Sequence, residues 1–220
     1  MRPTIETPGA GEAIGAVNRT REILSRYGIT AKKSLGQNFL VDRNILRNIV
    51  RAAELSPDHG VLEIGPGIGA LTEELAKSAG RVVAVEIDRR LIPVLTAVLR
   101  NYPNVSVVHG DILNIDLDRL WQTYFADHEQ VSIAANLPYY ITTPIMMRLL
   151  ESGVRFKHMV VMIQKEVAER IAAAPGSKAY GSLSVAVQYY CELKSVAAVP
   201  PTVFIPQPNV ESAVIRLTRR

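Results

Sequence analysis

The stretch GVLEIGPGIGA, residues 60–70, decides the fold of this chain. Its first half is a short apolar strand, and its second half is a glycine turn that opens the helical pattern ALTEELAKSAG. A glycine turn between a strand and a helix lets the backbone approach a ligand at the helix N-terminus. The stretch therefore predicts a βα unit that holds a nucleotide-like ligand.

Strands and helices alternate on both sides of this turn, and helical patterns such as DRNILRNIVRAAEL, RRLIPVLTAVLR and KEVAERIAAA lie between strands. The strand-like segments are GVLEI, RVVAVEID, VSVVHGD, QVSIAANLPYY, HMVVMIQ, ELKSVAAV and SAVIRLTRR. Such alternation is typical of a mostly parallel sheet with helices on both faces. Because no helix separates the last two strands, we expect an α/β, Rossmann-like fold whose seventh strand is antiparallel.

Size and composition are those of one soluble domain. The chain has 220 residues, of which 48% are hydrophobic, enough for one large core. Its longest apolar runs are strand-sized and fall short of the ~20 residues that cross a bilayer. The N-terminal stretch carries Glu6 and Glu12 and lacks the apolar core of a signal peptide. We expect a flexible tail over 1–19, one domain over 20–220 and a cytoplasmic location, with Cys191 a buried structural thiol.

The chain is modestly basic, with a formal net charge of +4, which is compatible with a polyanionic partner. Five cations cluster around the first long helical pattern: Lys32, Lys33, Arg43, Arg47 and Arg51. Residues 131–147, by contrast, include no charged side chain. A solvated helical face and contact with phosphates explain the cluster equally well.

The glycine turn admits two cofactors. Gly65, Gly67 and Ala70 fit the dinucleotide pattern G-x-G-x-x-G/A, and Glu86 follows Gly65 by 21 residues, where it is expected to hold ribose hydroxyls. NAD and S-adenosylmethionine both satisfy this spacing. A glycine turn that serves only helix packing is a third interpretation.

Further residues favour S-adenosylmethionine. Glu63 precedes the glycines, and Gly69 completes a G-x-G-x-G arrangement that suits a compact amino-acid tail with no pyrophosphate. Asp111 ends the third strand, where it is placed to accept a hydrogen bond from an adenine amine of the cofactor; a turn or cap is its alternative role. Polar groups thus recur at successive strand ends, which form the ligand crevice of an open α/β sheet.

The tetrapeptide Asn136, Leu137, Pro138, Tyr139 follows the fourth strand and indicates the chemistry. An adenine amine is a poor nucleophile, because its lone pair is delocalised into the ring. The Asn136 oxygen and a backbone carbonyl of Leu137 or Pro138 are expected to accept its two hydrogens. Tyr139 is expected to stack on the base, and no strong base is needed. A strand-ending turn with a core tyrosine is the alternative.

From about Thr20 to its C-terminus, the chain resembles the small-subunit ribosomal RNA adenine dimethyltransferases, the KsgA-like enzymes. The motifs that carry the resemblance are KKSLGQNFLVD, LEIGPGIGALT, VEID, HGDIL, ANLPYYITTPI, QKEVAER, YGSLSVAVQYY and FIPQPNVESAV. The resemblance implies a class I methyltransferase fold and S-adenosyl-L-methionine as cofactor, with no metal. It also implies dimethylation of two neighbouring adenosines in a small-subunit ribosomal RNA hairpin, which contributes to maturation of that subunit.

The resemblance also assigns the site residues, since in that family the QNFL segment folds over the cofactor. The implied cofactor-binding residues are Gln37, Asn38, Leu40, Gly65, Gly67, Glu86, Ile87, Asp111, Ile112 and Asn136. The implied catalytic residues are Asn136, Leu137, Pro138, Tyr139 and Phe204, with Phe204 stacking on the target base opposite Tyr139. The implied partner is small-subunit ribosomal RNA in a pre-30S-type particle, bound by a monomer. Family members continue into a small helical domain, which we expect to be absent after Arg220.

Three other functions stay open. A related enzyme class methylates adenine of large-subunit ribosomal RNA and confers macrolide resistance; leucine after Asn136 and the KKSLGQNFL opening favour the small-subunit enzymes. A second alternative is a non-catalytic RNA-binding or ribosome assembly factor, against which the intact Asn136, Tyr139, Glu86 and Asp111 argue. The third is an NAD-dependent oxidoreductase.

Overall fold

The computed structural model of the chain describes residues 12–220. The strands are β1 (Phe39–Leu40), β2 (Gly60–Ile64), β3 (Arg81–Glu86), β4 (Val105–His109), β5 (Val131–Asn136), β6 (His158–Gln164), β7 (Cys191–Val199), β8 (Phe204–Ile205) and β9 (Ser212–Arg219).

Eight α-helices accompany these strands over the described residues. They are α1 (Val17–Arg26), α2 (Arg43–Ala52), α3 (Ala70–Ala76), α4 (Leu91–Val98), α5 (Leu117–Tyr124), α6 (Thr142–Glu151), α7 (Lys165–Ala172) and α8 (Ser182–Tyr190). Asp42 caps α2, because its carboxylate accepts the backbone N–H groups of Asn44 and Ile45.

Seven strands form the main sheet in the order β4-β3-β2-β5-β6-β9-β7. The first five are parallel to one another, and β9 lies antiparallel between β6 and β7. This confirms the expected α/β, mostly parallel, seven-stranded sheet with an antiparallel last strand. The chain order along the sheet reverses at β2, which pairs with β3 on one side and with β5 on the other.

Alternate residues of the central strands feed two cores, one on each face of the sheet. Leu62 and Val83 pack with residues of α5, α6, α7 and α8. Val61 and Val82 pack with residues of α1, α2, α3 and α4. Helices therefore cover both faces, which is why the central strands are apolar on both sides.

A two-stranded antiparallel sheet lies apart from the main one. In it, Leu40 of β1 pairs with Phe204 of β8, and the Val41 N–H donates to the Val203 carbonyl at 2.8 Å. This pairing ties residues 29–41, which we call the strap, to the segment between β7 and β9.

Two helices were missing from the sequence-based expectation. Helix α5 connects β4 to β5, and its buried Leu117 and Leu120 are spaced by three residues. Helix α8 covers a run rich in valine and tyrosine, residue types that favour strands, and it buries Leu183 and Val187 at helical spacing. Packing against α6 and α7 overrides that local preference.

The expected tail over 1–19 differs from the structure in its second half. Residues 1–11 lie outside the described residues. Helix α1 begins at Val17, so the boundary at residue 19 falls inside it. Ile14 is buried, and its N–H donates to a Glu73 carboxylate oxygen at 2.8 Å. Residues 12–19 are therefore part of the domain, because an apolar anchor and a buried hydrogen bond fix them.

Cys191 is buried, as expected, and burial raises the pKa of its thiol to about 11. The described part of the chain contains no helix with the length and apolarity needed to span a bilayer.

Candidate active site

The candidate site is a crevice at the carboxyl ends of the parallel strands. It lies where β2 and β5 end, at the reversal of strand order, which is the usual ligand position in an open α/β sheet. A methyl group added at Gly65 would lie 3.9 Å from the Asn136 carbonyl oxygen, so the two strand ends face each other closely.

The glycine turn forms one wall of the crevice. Gly65, Gly67 and Gly69 have φ angles of 67°, 60° and 95°, a left-handed conformation that glycine adopts without strain. The Gly67 N–H donates to one oxygen of the Glu86 carboxylate at 3.2 Å, and the Asp88 N–H donates to the other at 2.8 Å. These bonds fix the Glu86 carboxylate at the end of β3, while burial raises its pKa.

Glu63, in β2, is the most deeply buried acid of the crevice. Its side chain is 1% exposed, and its Oε2 atom finds no hydrogen-bond donor among the described residues. Desolvation raises its pKa to about 8. Glu63 is therefore mostly protonated at neutral pH, and a polar ligand group in the crevice would satisfy it.

The turn after β5 presents two backbone carbonyls with different partners. The Pro138 carbonyl accepts the Thr142 hydroxyl at 3.0 Å and the Ile141 N–H at 3.3 Å. The Leu137 N–H donates to the Met162 carbonyl at 3.0 Å, whereas the described residues supply no donor to the Leu137 carbonyl. Of the two carbonyls considered from the sequence, Leu137 is therefore the one available to a ligand amine.

Tyr139 opens a short 3-10 turn that runs to Ile141 and lines the crevice. Its hydroxyl lies 2.5 Å from the hydroxyl of Ser212, a fully buried residue at the start of β9. Burial raises the pKa of Tyr139. The ring is held by a hydrogen bond that the sequence analysis did not anticipate, because 73 residues separate its partners.

The strap covers the crevice and is fastened at several points. The Gln37 amide donates to Asp88 at 2.9 Å, and its oxygen accepts the Lys32 N–H at 2.8 Å. The Asn136 amide donates to the Asn38 carbonyl at 3.2 Å. Asp88 is 3% exposed, and its hydrogen bonds with the Arg90 guanidinium hold its pKa well below the usual range. Asp88 is thus the main anchor of the strap on β3.

The structure brings together most of the residues named from the sequence. Those that line the crevice are Gln37, Asn38, Leu40, Gly65, Gly67, Glu86, Ile87, Asn136, Leu137, Pro138 and Tyr139. Ile87 is 44% exposed, which leaves its side chain free to pack on a ligand.

Asp111 and Ile112 do not line the crevice as the structure stands. The two carboxylate oxygens of Asp111 accept the Leu113 N–H at 2.9 Å and the Asn114 amide at 2.7 Å. This is the turn role that the sequence left as an alternative. Ile112 is 5% exposed and belongs to the core on the α5 side.

The sequence-based role of Phe204 needs correction. Its side chain is 2% exposed, lies in the core on the α2 side and does not line the crevice. The reason is the β1–β8 pairing, which aligns Phe204 with Leu40 and buries the ring. In this arrangement Phe204 supports the strap from beneath, and stacking on a base opposite Tyr139 would require β8 to leave its position.

Two functional residues were missed although their signals were in the sequence. Asp88 follows Glu86 by two residues and therefore leaves the same strand end. Ser212 is the last residue of the FIPQPNVES run and was given no role. The partner of each is distant in sequence, so only the folded chain identifies the contact.

The model of one protein family, ribosomal RNA adenine dimethylase, matches residues 28–220. The chain belongs to this family. A relative named ribosomal RNA small subunit methyltransferase A, from Bacillus pumilus, is 59% identical over 202 residues, which cover 92% of this chain and 69% of the relative.

Two solved structures agree with the family assignment. A dimethyladenosine transferase from Plasmodium falciparum matches with a TM-score of 0.73 and 32% identity, covering 82% of this chain and 63% of that one. A 23S rRNA methyltransferase, ErmE, matches with a TM-score of 0.71 and 35% identity, covering 83% and 70% respectively. The fold is thus that of the class I methyltransferases.

The dimethylase family uses S-adenosylmethionine, and the crevice residues fit that molecule. The fixed Glu86 carboxylate retains lone pairs for ribose hydroxyls, and the exposed Ile87 side chain offers an apolar surface for adenine. The left-handed glycines leave room beside the backbone, and the unpartnered Glu63 oxygen can form a hydrogen bond with a polar tail.

The raised pKa of Glu63 predicts a pH-dependent stability. The pKa of Glu63 is about 8 in the folded state and 4.5 ordinarily. The contribution of the buried, protonated Glu63 to the free energy of unfolding is therefore fully present below pH 4.5 and is lost as the pH rises to about 8. Between these values the wild-type free energy of unfolding should fall as the pH rises, by roughly 1 kcal/mol per pH unit, and the Glu63→Gln variant should lack this decline. Urea unfolding at several pH values measures this. Glu129→Gln, at an exposed position, is the control, and parallel curves for wild type and Glu63→Gln would contradict the prediction.

The anchoring of the strap predicts that Asp88→Asn weakens cofactor binding. Loss of the charged partner of Gln37 and Arg90 should raise the dissociation constant for S-adenosylmethionine roughly tenfold to hundredfold. Calorimetry measures this, and faster amide hydrogen exchange in residues 32–41 should accompany it. Asp118→Asn makes the same chemical change at an exposed position on α5. Equal affinities for the two variants would show that Asp88 does not hold the strap.

Proposed function

We propose that this chain transfers methyl groups from S-adenosylmethionine to the exocyclic amines of two adjacent adenosines in a small-subunit ribosomal RNA hairpin. The observation that carries the proposal is the Asn136–Tyr139 turn, which lies at the rim of the same crevice as the glycine turn and Glu86. This places groups suited to an adenine amine beside groups suited to the cofactor.

The turn supplies two hydrogen-bond acceptors for one amine. The Asn136 side-chain oxygen accepts one hydrogen, and the Leu137 carbonyl accepts the other, because the Pro138 carbonyl is already bonded to Thr142. Two such bonds favour a pyramidal nitrogen with its lone pair directed toward the methyl donor, and they stabilise the positive charge that develops on it. The Asn136 amide also donates to Asn38, which fixes which end of the amide faces the crevice.

The cofactor supplies a methyl group on a positively charged sulfur. When bound, it would give this methyl group to the held adenine nitrogen and leave as a neutral thioether, and the nitrogen would lose its proton to water. No residue of the turn needs to act as a strong base, which agrees with a turn made of asparagine, leucine, proline and tyrosine.

Tyr139 is suited to hold the base against the crevice. An enzyme that acts on a nucleobase must take the base out of its stack, and an aromatic ring replaces the lost stacking. The Ser212 hydrogen bond restricts rotation of the Tyr139 ring, so the ring is pre-arranged before the base arrives.

The relatives favour the small ribosomal subunit over the large one as the substrate. The Bacillus pumilus protein, whose name specifies the small subunit, is 59% identical, whereas ErmE, whose name specifies 23S rRNA, is 35% identical. The small-subunit function is therefore the better supported one. We further infer action on a pre-30S-type particle in the cytoplasm; the monomeric state stays a prediction.

Methylation of isolated ribosomal subunits tests the proposed function. Small and large subunits from a strain that lacks the modification are incubated with the chain and methyl-labelled S-adenosylmethionine, and nucleosides are analysed by mass spectrometry. Dimethyladenosine is expected in the small-subunit RNA alone. Product confined to the large subunit would reject the assignment, and absence of product from both would favour a non-catalytic assembly role.

The role of Asn136 predicts a selective loss of turnover. Asn136→Ala should lower kcat at least a hundredfold, since one of the two acceptors is removed, while the affinity for S-adenosylmethionine changes less than tenfold. Asn136→Asp keeps an acceptor oxygen and should retain more activity than the alanine variant. Asn101→Ala, at an exposed position, is the matched control. Wild-type kcat in Asn136→Ala would refute the role.

A further inference from the structure

The outward face of α2 is made only of arginine and asparagine. We call it the arginine face; its residues are Arg43, Asn44, Arg47, Asn48 and Arg51. The three arginines follow one another at four-residue spacing and therefore form one stripe. All three are exposed.

These arginines lack carboxylate partners among residues 12–220. The Asp42 carboxylate is occupied by the first backbone N–H groups of α2. Glu54, beyond the other end of the helix, is paired with Arg216 and His158. Arg51 donates only to the neutral Asn48 side chain, at 3.3 Å. The stripe is therefore electrostatically uncompensated within the described domain.

The stripe does not serve the stability of its own helix. Like charges four residues apart repel each other and destabilise a helix. Arg43 occupies the first turn, where a cation opposes the helix dipole, whereas Arg51, in the last turn, is favourably placed. The repulsion along the stripe and the position of Arg43 remain unfavourable. A charge pattern that is unfavourable in the isolated domain is explained if an external anion neutralises it.

The position of α2 connects the stripe to the crevice. The opposite side of the helix lines the crevice through Leu46 and Ile49, and its N-terminus follows the strap directly. From Arg43 to Arg51 the stripe runs about 12 Å along the helix axis. Beyond Arg51 it continues into a second hollow, which Lys194 and the paired Glu54 and Arg216 also line.

We propose that the arginine face, extended by Lys194, is a docking surface for the sugar-phosphate backbone of the substrate RNA. The proposal rests on the proposed function and adds where the RNA lies relative to the crevice. Arginine and asparagine side chains both donate hydrogen bonds to phosphate oxygens, and such contacts position a nucleic acid without reading its sequence. A strand whose adenine enters the crevice passes the α2 N-terminus and follows the stripe away from it.

Salt-dependent RNA binding tests the proposal. The full chain and the triple variant Arg43→Gln/Arg47→Gln/Arg51→Gln are titrated onto a fluorescein-labelled RNA hairpin with unpaired adenosines, at 50–300 mM KCl. The triple variant should bind roughly tenfold to hundredfold more weakly at 150 mM salt. The plot of the logarithm of the association constant against the logarithm of the salt concentration should become less steep by about 2–3, since each phosphate contact contributes about 0.7–0.9 to its steepness. Adding Lys194→Gln should lower it further.

A charge-matched control separates docking from net charge. The variant Arg100→Gln/Arg119→Gln/Arg155→Gln removes three other exposed arginines, none of which has a carboxylate partner within the described part of the chain. It should keep an RNA affinity within about threefold of wild type. S-adenosylmethionine affinity, measured on both variants, reports that the domain is folded.

The outcomes are distinct. A loss confined to the α2 variant supports the docking surface. Equal losses in both variants, or wild-type binding by the α2 variant, overturn it while leaving methyl transfer by wild type, and hence the proposed function, intact. Binding of the α2 variant to RNA at wild-type strength but with lost binding to phosphatidylserine vesicles would assign the face to a membrane instead. A wild-type chain that neither binds nor methylates RNA would overturn both proposals.

Discussion

The pairing of β2 with β3 on one side and with β5 on the other is the constraint on which the rest of the structure depends. Connections leave these neighbouring strand ends in opposite directions, so no helix closes the gap between them. The gap is the crevice, with the glycine turn of β2 on one wall and Asn136 of β5 on the other. The groups with a proposed role in methyl transfer line this gap.

Three buried acids surround the crevice, and each meets the cost of burial differently. Glu63 finds no donor for one of its oxygens and takes a proton. Glu86 accepts two backbone N–H groups and is thereby fixed. Asp88 is paired with Arg90 and keeps its charge. A neutral acid, an oriented acceptor and a charged anchor thus arise from the same residue class through different partners.

The strap contacts residues proposed to bind the cofactor and residues proposed to bind the target base. Asp88 fastens it to the sheet through Gln37, Asn136 contacts it through Asn38, and Phe204 supports it through the β1–β8 pairing. Asn136 therefore contacts the strap and also belongs to the turn with the proposed catalytic role. The strap leads directly into α2, whose outer face is the arginine face, so one continuous segment borders both the crevice and the proposed path of the RNA.

The sequence by itself determined where the strands lie along the chain and which candidate site residues follow them. Apolar periodicity identified the seven strands, and the glycine turn, Glu86 and Asn136 lay at strand ends, where local pattern is sufficient to place them. Helix α5 has local signals, an Asp116 cap and buried leucines at helical spacing, that the strand pattern did not include. Helix α8 is rich in valine and tyrosine, which favour strands, so its sequence alone does not indicate a helix. Tertiary structure alone decided that Phe204 is buried and that Asp88 and Ser212 hold other site residues. The physical reason is that hydrogen-bond partners and burial depend on contacts between residues far apart in sequence, which periodicity and spacing do not encode.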